Sequence, residues 1–429
     1  MVKKPIEILV AEYLTDFLLR MRKTSLRRFV YRVRERGRRR KKIQNLLYNV
    51  ISYLRSLDRI ISPLLAKEDE NSDEFFINLL RVLAYRIIFQ RIPGSTIFEK
   101  IKDYFHSEKR EKLKRFITEI KEPRLSNEVD KLSFIYGFPQ WMIERIKPFF
   151  SPDELRRFLS ACNKRGRLWI IINALKASEE KVIQLLENER FELEKDSEIP
   201  YLYSVVKIPK RIDKTKAYCE NLILPMNKAS AAVVFALNPR PGEVIFDMCA
   251  APGIKTVYTS ILTENQGSII AVDISKPRIR RMQHLIKSYG VTNVRIMHAD
   301  AREIFPRNVP DKILIDAPCS STGMIRESPD IKWRAKYNDV VKFATLQEGL
   351  IEHALKIADS TTQIIFSTCS IFPEEGEEII ERLLIKGKIK LITDALPGGS
   401  PYYNELGKRF YPHIHDTIGL YYAKFAIKM

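Results

Sequence analysis

The chain has 429 residues, 45% of them apolar, which is enough to bury more than one hydrophobic core. No apolar run approaches the roughly 20 residues that a membrane span needs, and the formal net charge of +20 favours a polyanionic partner over a membrane. The five cysteines (Cys162, Cys219, Cys249, Cys319 and Cys369) are odd in number, form no CxxC pair and do not cluster with the six histidines. That pattern speaks against zinc or another metal and for free thiols in a reducing compartment. The amino-terminal segment lacks the apolar core and cleavage site of a signal peptide, so a cytoplasmic protein is expected.

Residues 1–125 read as an all-helical unit. Val10, Leu14, Phe17, Leu18 and Met21 recur at helical spacing, as do Ile43, Leu47, Val50, Ile51 and Leu54, then Leu79, Leu80, Val82, Leu83 and Ile87. The first 50 residues carry 15 Lys/Arg against 4 Asp/Glu. The peak is Arg38-Arg39-Arg40-Lys41-Lys42, preceded by Arg32, Arg34 and Arg36. It has no bulky apolar counter-face of the kind an interfacial helix shows, so nucleic acid is the expected partner.

Residues 126–215 change in texture to a small α+β module. Pro139-Gln140-Trp141-Met142 opens one helix, and Ser151-Pro152 caps another with proline in its first turn. Strands are expected at 168–173 and 201–208, with a helix over 178–187 between them. Residues 216–429 alternate strand and helix, with strands at 244–246, 268–272, 294–297, 312–315 and 363–366. Such alternation predicts a parallel, doubly wound α/β sheet, and 420–427 adds an antiparallel edge strand.

Chemistry-bearing residues collect at the expected strand ends. Asp247 opens the loop Cys249-Ala250-Ala251-Pro252-Gly253-Ile254-Lys255-Thr256, whose small residues allow close approach and which leads into a helix at about Gly253. It is neither a GxGxxG fingerprint nor a P-loop, so phosphate is not its natural ligand. Asp247, Asp273, Asp300 and Asp316 each follow one of the first four strands of the alternating region. Four acids in register favour a nucleoside-bearing cofactor over four coincidental helix caps. Two thiols share the same rim, Cys319 after the fourth strand and Cys369 after the fifth. Adjacent strand ends carrying Pro-Cys and Thr-Cys predict a paired active site, whereas packing is the expected role of Cys162 and Cys219.

The stretches Asp316-Ala317-Pro318-Cys319-Ser320-Ser321-Thr322-Gly323, Ser367-Thr368-Cys369-Ser370 and Cys249–Thr256 resemble the RNA cytosine-C5 methyltransferases of the Sun/RsmB type. Pro329-Asp330-Ile331-Lys332-Trp333 and Pro373-Glu374-Glu375 with Glu377 are similar to that family's flanking motifs. The resemblance covers about residues 130–429, and the helical unit in front resembles the NusB-like RNA-binding domain of the RsmB branch.

The resemblance implies a Rossmann-like class I methyltransferase that uses S-adenosylmethionine. Cytosine C5 is a poor nucleophile until a thiolate adds at C6, which explains the need for a cysteine. By resemblance Cys369 is that nucleophile and Cys319 assists product release. Asp316 grips the cytosine edge and borders the cofactor, and Lys255 contacts the substrate pocket or the cofactor. Cys249, Ala250, Ala251, Pro252, Gly253, Ile254 and Lys255 would hold methionine, Asp273 the ribose and Asp300 the adenine. Reaching C6 requires an unstacked base, so the RNA is expected to be a loop or locally melted.

Ribosomal RNA is the expected substrate, with transfer RNA as the competing one. A monomer acting without metal is expected. An inert NusB-like RNA-binding or assembly factor is the competing class, but it would have no use for two thiols at adjacent strand ends. A DNA methyltransferase is disfavoured because such enzymes take the nucleophile from the Pro-Cys position. Four departures from the family pattern bear on substrate positioning: Ile254 for a second glycine, Ile171-Ile172-Asn173 for Arg-Val-Asn, Met226-Asn227 for Gln-Asp, and Ile418-Gly419-Leu420 for Asp-Gly-Phe.

Overall fold

The computed structural model describes residues 3–20, 29, 33, 35, 37–66, 73–393, 396–403 and 405–428. Met21, Arg32, Arg34 and Arg36 lie outside the described residues. The chain forms two compact units, Met1–Lys164 with Ile325–Ala335, and Arg165–Met324 with Lys336–Met429. This grouping differs from the divisions expected at residues 125 and 215. Helices Glu128–Tyr136, Gln140–Ile146 and Pro152–Cys162 join the first unit. Their side chains explain why: Asp130 accepts a 2.7 Å bond from Arg59, and Ser56 Oγ donates to Phe134 O at 2.7 Å.

In the first unit, helices Ile6–Arg20, Gly37–Ser52, Leu54–Leu65 and Glu74–Ala84 turn their expected apolar stripes inward. Val10, Leu14, Phe17, Ile43, Leu47, Val50, Ile51, Leu79 and Leu83 all lie in one core. Burying one stripe of each helix is what stabilises segments too short to persist alone. Arg38, Lys41 and Lys42 fall on the opposite, exposed face. A π-helical turn, Tyr85–Phe89, interrupts the regular period and sets Phe89 against Tyr53 in a tilted ring pair 4.6 Å apart.

Residues Ile325–Ala335 thread into this unit. Lys332 is fully buried there, its Nζ donating to Tyr136 O at 2.9 Å and Asn163 Oδ1 at 2.5 Å, 4.6 Å from the Phe138 ring centroid. Burial pulls its ammonium down to about 7.

The second unit holds two sheets. The smaller comprises β1 (Leu168–Ile172), β2 (Glu192–Lys195), β3 (Leu202–Lys207) and β4 (Ile223–Pro225), all antiparallel in the order β2-β3-β1-β4. It is joined to the larger sheet by Tyr258 OH donating to Pro200 O at 2.8 Å and by Asn173 Nδ2 donating to Tyr289 O at 3.0 Å.

The larger sheet contains β5 (Val244–Asp247), β6 (Ser268–Asp273), β7 (Val294–His298), β8 (Lys312–Asp316), β9 (Gln363–Thr368), β10 (Ile389–Leu391), β11 (Lys408–Phe410) and β12 (Leu420–Ile427). Its order is β10-β12-β9-β8-β5-β6-β7, with β11 on the flank of β12. Strands β5 to β9 are parallel, and β12 closes antiparallel on β9. In β8, Leu314 enters one core while Ile313 and Ile315 enter the core on the other face. A strand buried on both faces needs apolar residues at every position, which is why β8 reads as an unbroken run. The chain winds outward through β6 and β7, then restarts beside β5 with β8 and β9. The resulting switch point opens a crevice at the carboxyl ends of β5 and β8. The doubly wound Rossmann-like sheet is as expected.

Among the described residues, no helix is long and apolar enough to cross a membrane, and no group of three or more His, Cys, Asp or Glu is placed to hold a metal. Cys162 is buried, and burial pushes its thiol up to about 12. Cys219 does not pack as expected: it is exposed at the end of the short helix Lys216–Cys219, where only Ala217 turns inward.

Candidate active site

The loop after β5 is tied by its backbone to both neighbouring strands. Met248 N donates to Leu314 O of β8 and Ala250 N to Val272 O of β6, each at 2.9 Å. Gly253 then caps helix Ile254–Leu262 at φ +98°, and a Cβ there would come within 2.7 Å of Met282 Cγ. Only glycine combines that dihedral with that contact.

Asp247 is buried and accepts a 2.8 Å bond from Thr256 Oγ1. Burial raises its carboxyl to about 7. Asp273, at the end of β6, accepts from Ala251 N at 3.1 Å and Ser275 N at 2.8 Å, with Arg278 at 3.4 Å. The Arg278 guanidinium also donates to Ala251 O. Asp300 caps the turn Ala301–Glu303 and pairs with Arg302 at 2.6 Å, and the hydrogen bond from Arg302 lowers its carboxyl.

A cavity of about 240 Å³ opens over this loop. Cys249, Ala250, Ala251, Pro252, Ile254, Lys255 and Asp316 line it together with Asp247. Gly253, Asp273 and Asp300 do not line it: Gly253 turns the backbone, Asp273 braces the loop, and Asp300 faces Arg302. Met226 and Asn227, already noted as a departure from the family pattern, also line it, with Pro225, Ser230 and Arg278, which were not anticipated as site residues. Arg278 carried a usable signal, since it stands in the first turn of Lys276–Ser288, directly after the Asp273 strand end. The Cys249 thiol is pushed up, first by burial and then by the charges of Asp247, Asp316 and Asp273.

Lys255 and Asp316 meet at 2.6 Å, and Ser367 Oγ of β9 donates to the second Asp316 oxygen at 3.0 Å. Beyond them the two thiols converge, with Cys319 Sγ 3.2 Å from Cys369 Sγ. Their loops are laced at the backbone, since Gly323 N donates to Cys369 O at 2.9 Å and Gly419 N to Gly323 O at 3.0 Å. A Cβ on Gly323 would sit 1.9 Å from Gly419 O, so the close approach demands glycine. The hydrogen bond from Cys319 lowers the Cys369 thiol, and the same bond, followed by burial, raises that of Cys319 well above its usual range. Of the two sulfurs, Cys369 is therefore the more readily ionised.

The departures from the family pattern now have locations. Ile171 is fully buried in a core shared with Leu224 and Met226, so it offers no RNA contact. Asn173 spends its amide on Asn221 O and Tyr289 O, each at 3.0 Å. Ile254 lines the cavity, and Gly419 meets the thiol loop.

A doubly wound sheet with an antiparallel strand closing on β9, and an acid-lined crevice at its switch point, defines a Rossmann-like methyltransferase. Comparison with known proteins agrees. The family described as 16S rRNA methyltransferase RsmB/F matches residues 234–426, its companion ferredoxin-like domain matches 138–207, and the NusB family matches 11–118. The chain belongs to the RsmB/F family of RNA methyltransferases.

Among its relatives is ribosomal RNA small subunit methyltransferase B of Photorhabdus laumondii, 27% identical over 392 residues and 89% of each chain. The protein of the same name from Yersinia enterocolitica is 28% identical over 397 residues, again 89% of each chain. Of solved structures, PH0851 superposes with a TM-score of 0.81 at 28% identity over 99% of both chains. A methyltransferase homolog protein from Pyrococcus horikoshii gives 0.63 at 28% identity, over 71% of this chain and all of the other.

Proposed function

We propose that the protein methylates C5 of a cytosine in small-subunit ribosomal RNA through a covalent adduct between Cys369 and C6, using S-adenosylmethionine. The observation that carries this is the 3.2 Å approach of Cys319 and Cys369 beside the Lys255–Asp316 pair. RNA recognition is assigned to residues 1–125 and 126–215, and chemistry to 216–429, in a cytoplasmic monomer that needs no metal.

The cavity suits the cofactor. Two carboxylates, Asp247 and Asp316, line it, which fits a ligand carrying a sulfonium and an ammonium rather than phosphates. Cys249–Lys255 would hold the methionine part, with Asp273 and Asp300, which stand outside the cavity lining, assigned to the ribose and adenine side. When bound, the cofactor supplies an electrophilic methyl group.

The residues do the remainder. Cys369, the sulfur favoured as thiolate, adds to C6 of the flipped base. Asp316 accepts a hydrogen bond from the protonated N3 edge, and Lys255 holds that carboxylate at 2.6 Å. With the cofactor bound, the electron pair released to C5 would take the methyl carbon as its bond to the sulfonium sulfur breaks, the sulfur leaving as a neutral thioether. Loss of the C5 proton to a base returns the pair to the ring and expels the thiolate. Cys319 assists by donating its S–H to the departing sulfur.

The test combines radiolabelled S-adenosylmethionine with total RNA. Label in ribosomal RNA, mapped by bisulfite to one cytosine, is expected, whereas label confined to transfer RNA would reassign the substrate. Cys369→Ala should abolish labelling, and Cys319→Ala should trap a protein–RNA adduct visible as a gel shift under denaturing conditions. An adduct formed by Cys369→Ala instead would reverse the two thiol roles.

A further inference from the structure

One buried carboxylate touches both thiol loops. Glu375 lies in the turn Pro373–Glu375 after β9 and is fully buried. Its Oε1 accepts from Ser320 N at 2.7 Å and from Gln347 Nε2 at 3.2 Å. Its Oε2 accepts from Ser320 Oγ at 2.5 Å and Ser370 Oγ at 2.6 Å. Its backbone carbonyl takes Thr368 Oγ1 at 2.8 Å. The same Gln347 amide donates to Pro318 O at 2.8 Å. The residues before and after Cys319 and the residues before and after Cys369 are therefore all gathered by Glu375 and its partner Gln347.

Resting on the thiol roles assigned above, we propose that Glu375 is the positioning residue of the pair, a single buried carboxylate that keeps the two sulfurs in catalytic register. A carboxylate stripped of water is stabilised here by four neutral donors rather than by a cation, an arrangement that holds loops in place but is costly to leave half-satisfied.

Its charge has a second consequence. The Cys319 thiol is raised first by its bond to Cys369, then by burial, and the charges of Cys369 and Glu375 add to this. Cys369 is faced instead by Cys319, Asp316, Ser321 and Lys255. The Glu375 charge thus adds to what keeps the Cys319 thiol protonated.

The experiment uses the full chain and Glu375→Gln, which keeps size and removes charge. Alkylation of Cys319 and Cys369 by iodoacetamide is followed as a function of pH, without RNA, by peptide mass spectrometry. In the parent, Cys369 should react at lower pH than Cys319. In E375Q the two midpoints should converge by about half a pH unit or more. The kcat for methyl transfer should fall about tenfold or more while KM for RNA changes by less than about twofold. Midpoints that stay as far apart as in the parent overturn the proposal. A parent that shows the expected thiol asymmetry yet labels no RNA removes the methyl-transfer reading and leaves Glu375 to be judged on the profiles alone. Should E375Q fold poorly, Ser370→Ala decides, because it deletes one donor and keeps the carboxylate: a smaller convergence supports the proposal, and an unchanged profile overturns it.

Discussion

At the scale of single residues, acids of one chemical type are driven apart by their surroundings. Asp247 and Asp316 end neighbouring strands and line one cavity, yet Asp316 holds Lys255 at 2.6 Å whereas Asp247 is met by neutral donors, the Thr256 hydroxyl and the Cys249 backbone, within a shell of buried atoms. Burial raises Asp247 to about 7 from an ordinary 3.8. A carboxyl raised on folding contributes stability that is complete below its unfolded value and is lost as pH rises through the folded one. Asp247→Asn removes that dependence. The variant should therefore gain stability relative to the parent between pH 5 and pH 8, on the order of 2 kcal/mol. Urea melts at the two pH values check this, and an identical difference at both would refute it. Asp316, Cys319 and Cys369 stood out in the sequence because acids and thiols at the ends of apolar runs are uncommon, and Lys255 only through the resemblance of its loop to the family. Glu375 was marked only as part of the Pro373-Glu374-Glu375 motif and Gln347 not at all, because a polar residue in a turn or helix ordinarily faces water, and nothing local marks either as fully buried.

At the scale of elements, legibility followed burial. β5, β6, β8 and β9 are covered on both faces and read as apolar runs, and β12 is buried over nearly its whole length. β4, β10 and β11 have three residues each, and β2 is a polar, largely exposed four-residue strand, so partners rather than intrinsic pattern make them strands. One helix start was legible through its cap, Ser151, whose hydroxyl accepts from Glu154 N, whereas Ser178, read as the first helical residue, caps its helix by accepting from Lys181 N. What no pattern gives is which helices pack together. Asp130 settles that for three of them: from Glu128–Tyr136 it accepts Arg59 of Leu54–Leu65 at 2.7 Å and Gln140 of Gln140–Ile146 at 2.8 Å. The Arg59 bond, with that from Ser126 N, holds its carboxyl down to about 2. A carboxyl lowered on folding contributes stability above its unfolded value and loses it as pH falls through the folded one. Asp130→Asn should cost about 2 kcal/mol at pH 7, and the penalty should shrink as pH falls from about 4 toward 2. Thermal unfolding of variant and parent across that range measures it, and a penalty that does not change with pH would exclude the ion pair as its source.

At the scale of the whole molecule, the excess of +20 is carried heavily by the first unit, and its exposed face at Arg38, Lys41 and Lys42 is where a phosphate backbone would be met. Deleting that unit is a poor test of the idea. Residues Ile325–Ala335, which follow directly on the thiol loop, are folded into it: Tyr48 OH donates to Arg326 O at 2.7 Å, and Lys332 is buried against Tyr136, Phe138 and Asn163. Removing residues 1–125 would strip Tyr48 from this segment, and removing 1–164 would expose Ile331 and Lys332 as well. Activity lost in either truncation would report disturbed packing as much as lost affinity. Substitution separates the two effects, because Arg38, Lys41 and Lys42 are exposed and lie opposite the helix face that carries Ile43, Leu47, Val50 and Ile51 into the core. Arg39 is left in place because it donates to Lys4 O and pairs with Glu35 at 3.2 Å. In the triple variant Arg38→Ala, Lys41→Ala, Lys42→Ala, melting should be unchanged and cofactor affinity intact. RNA affinity should fall, and the plot of log K against log salt should flatten by up to about two units, since each neutralised phosphate contributes about 0.7–0.9 to the slope. Filter binding at a series of salt concentrations reads this directly. An unaltered slope with weakened binding would assign the loss to shape rather than charge, and an unaltered slope with unaltered affinity would remove this face from the RNA path.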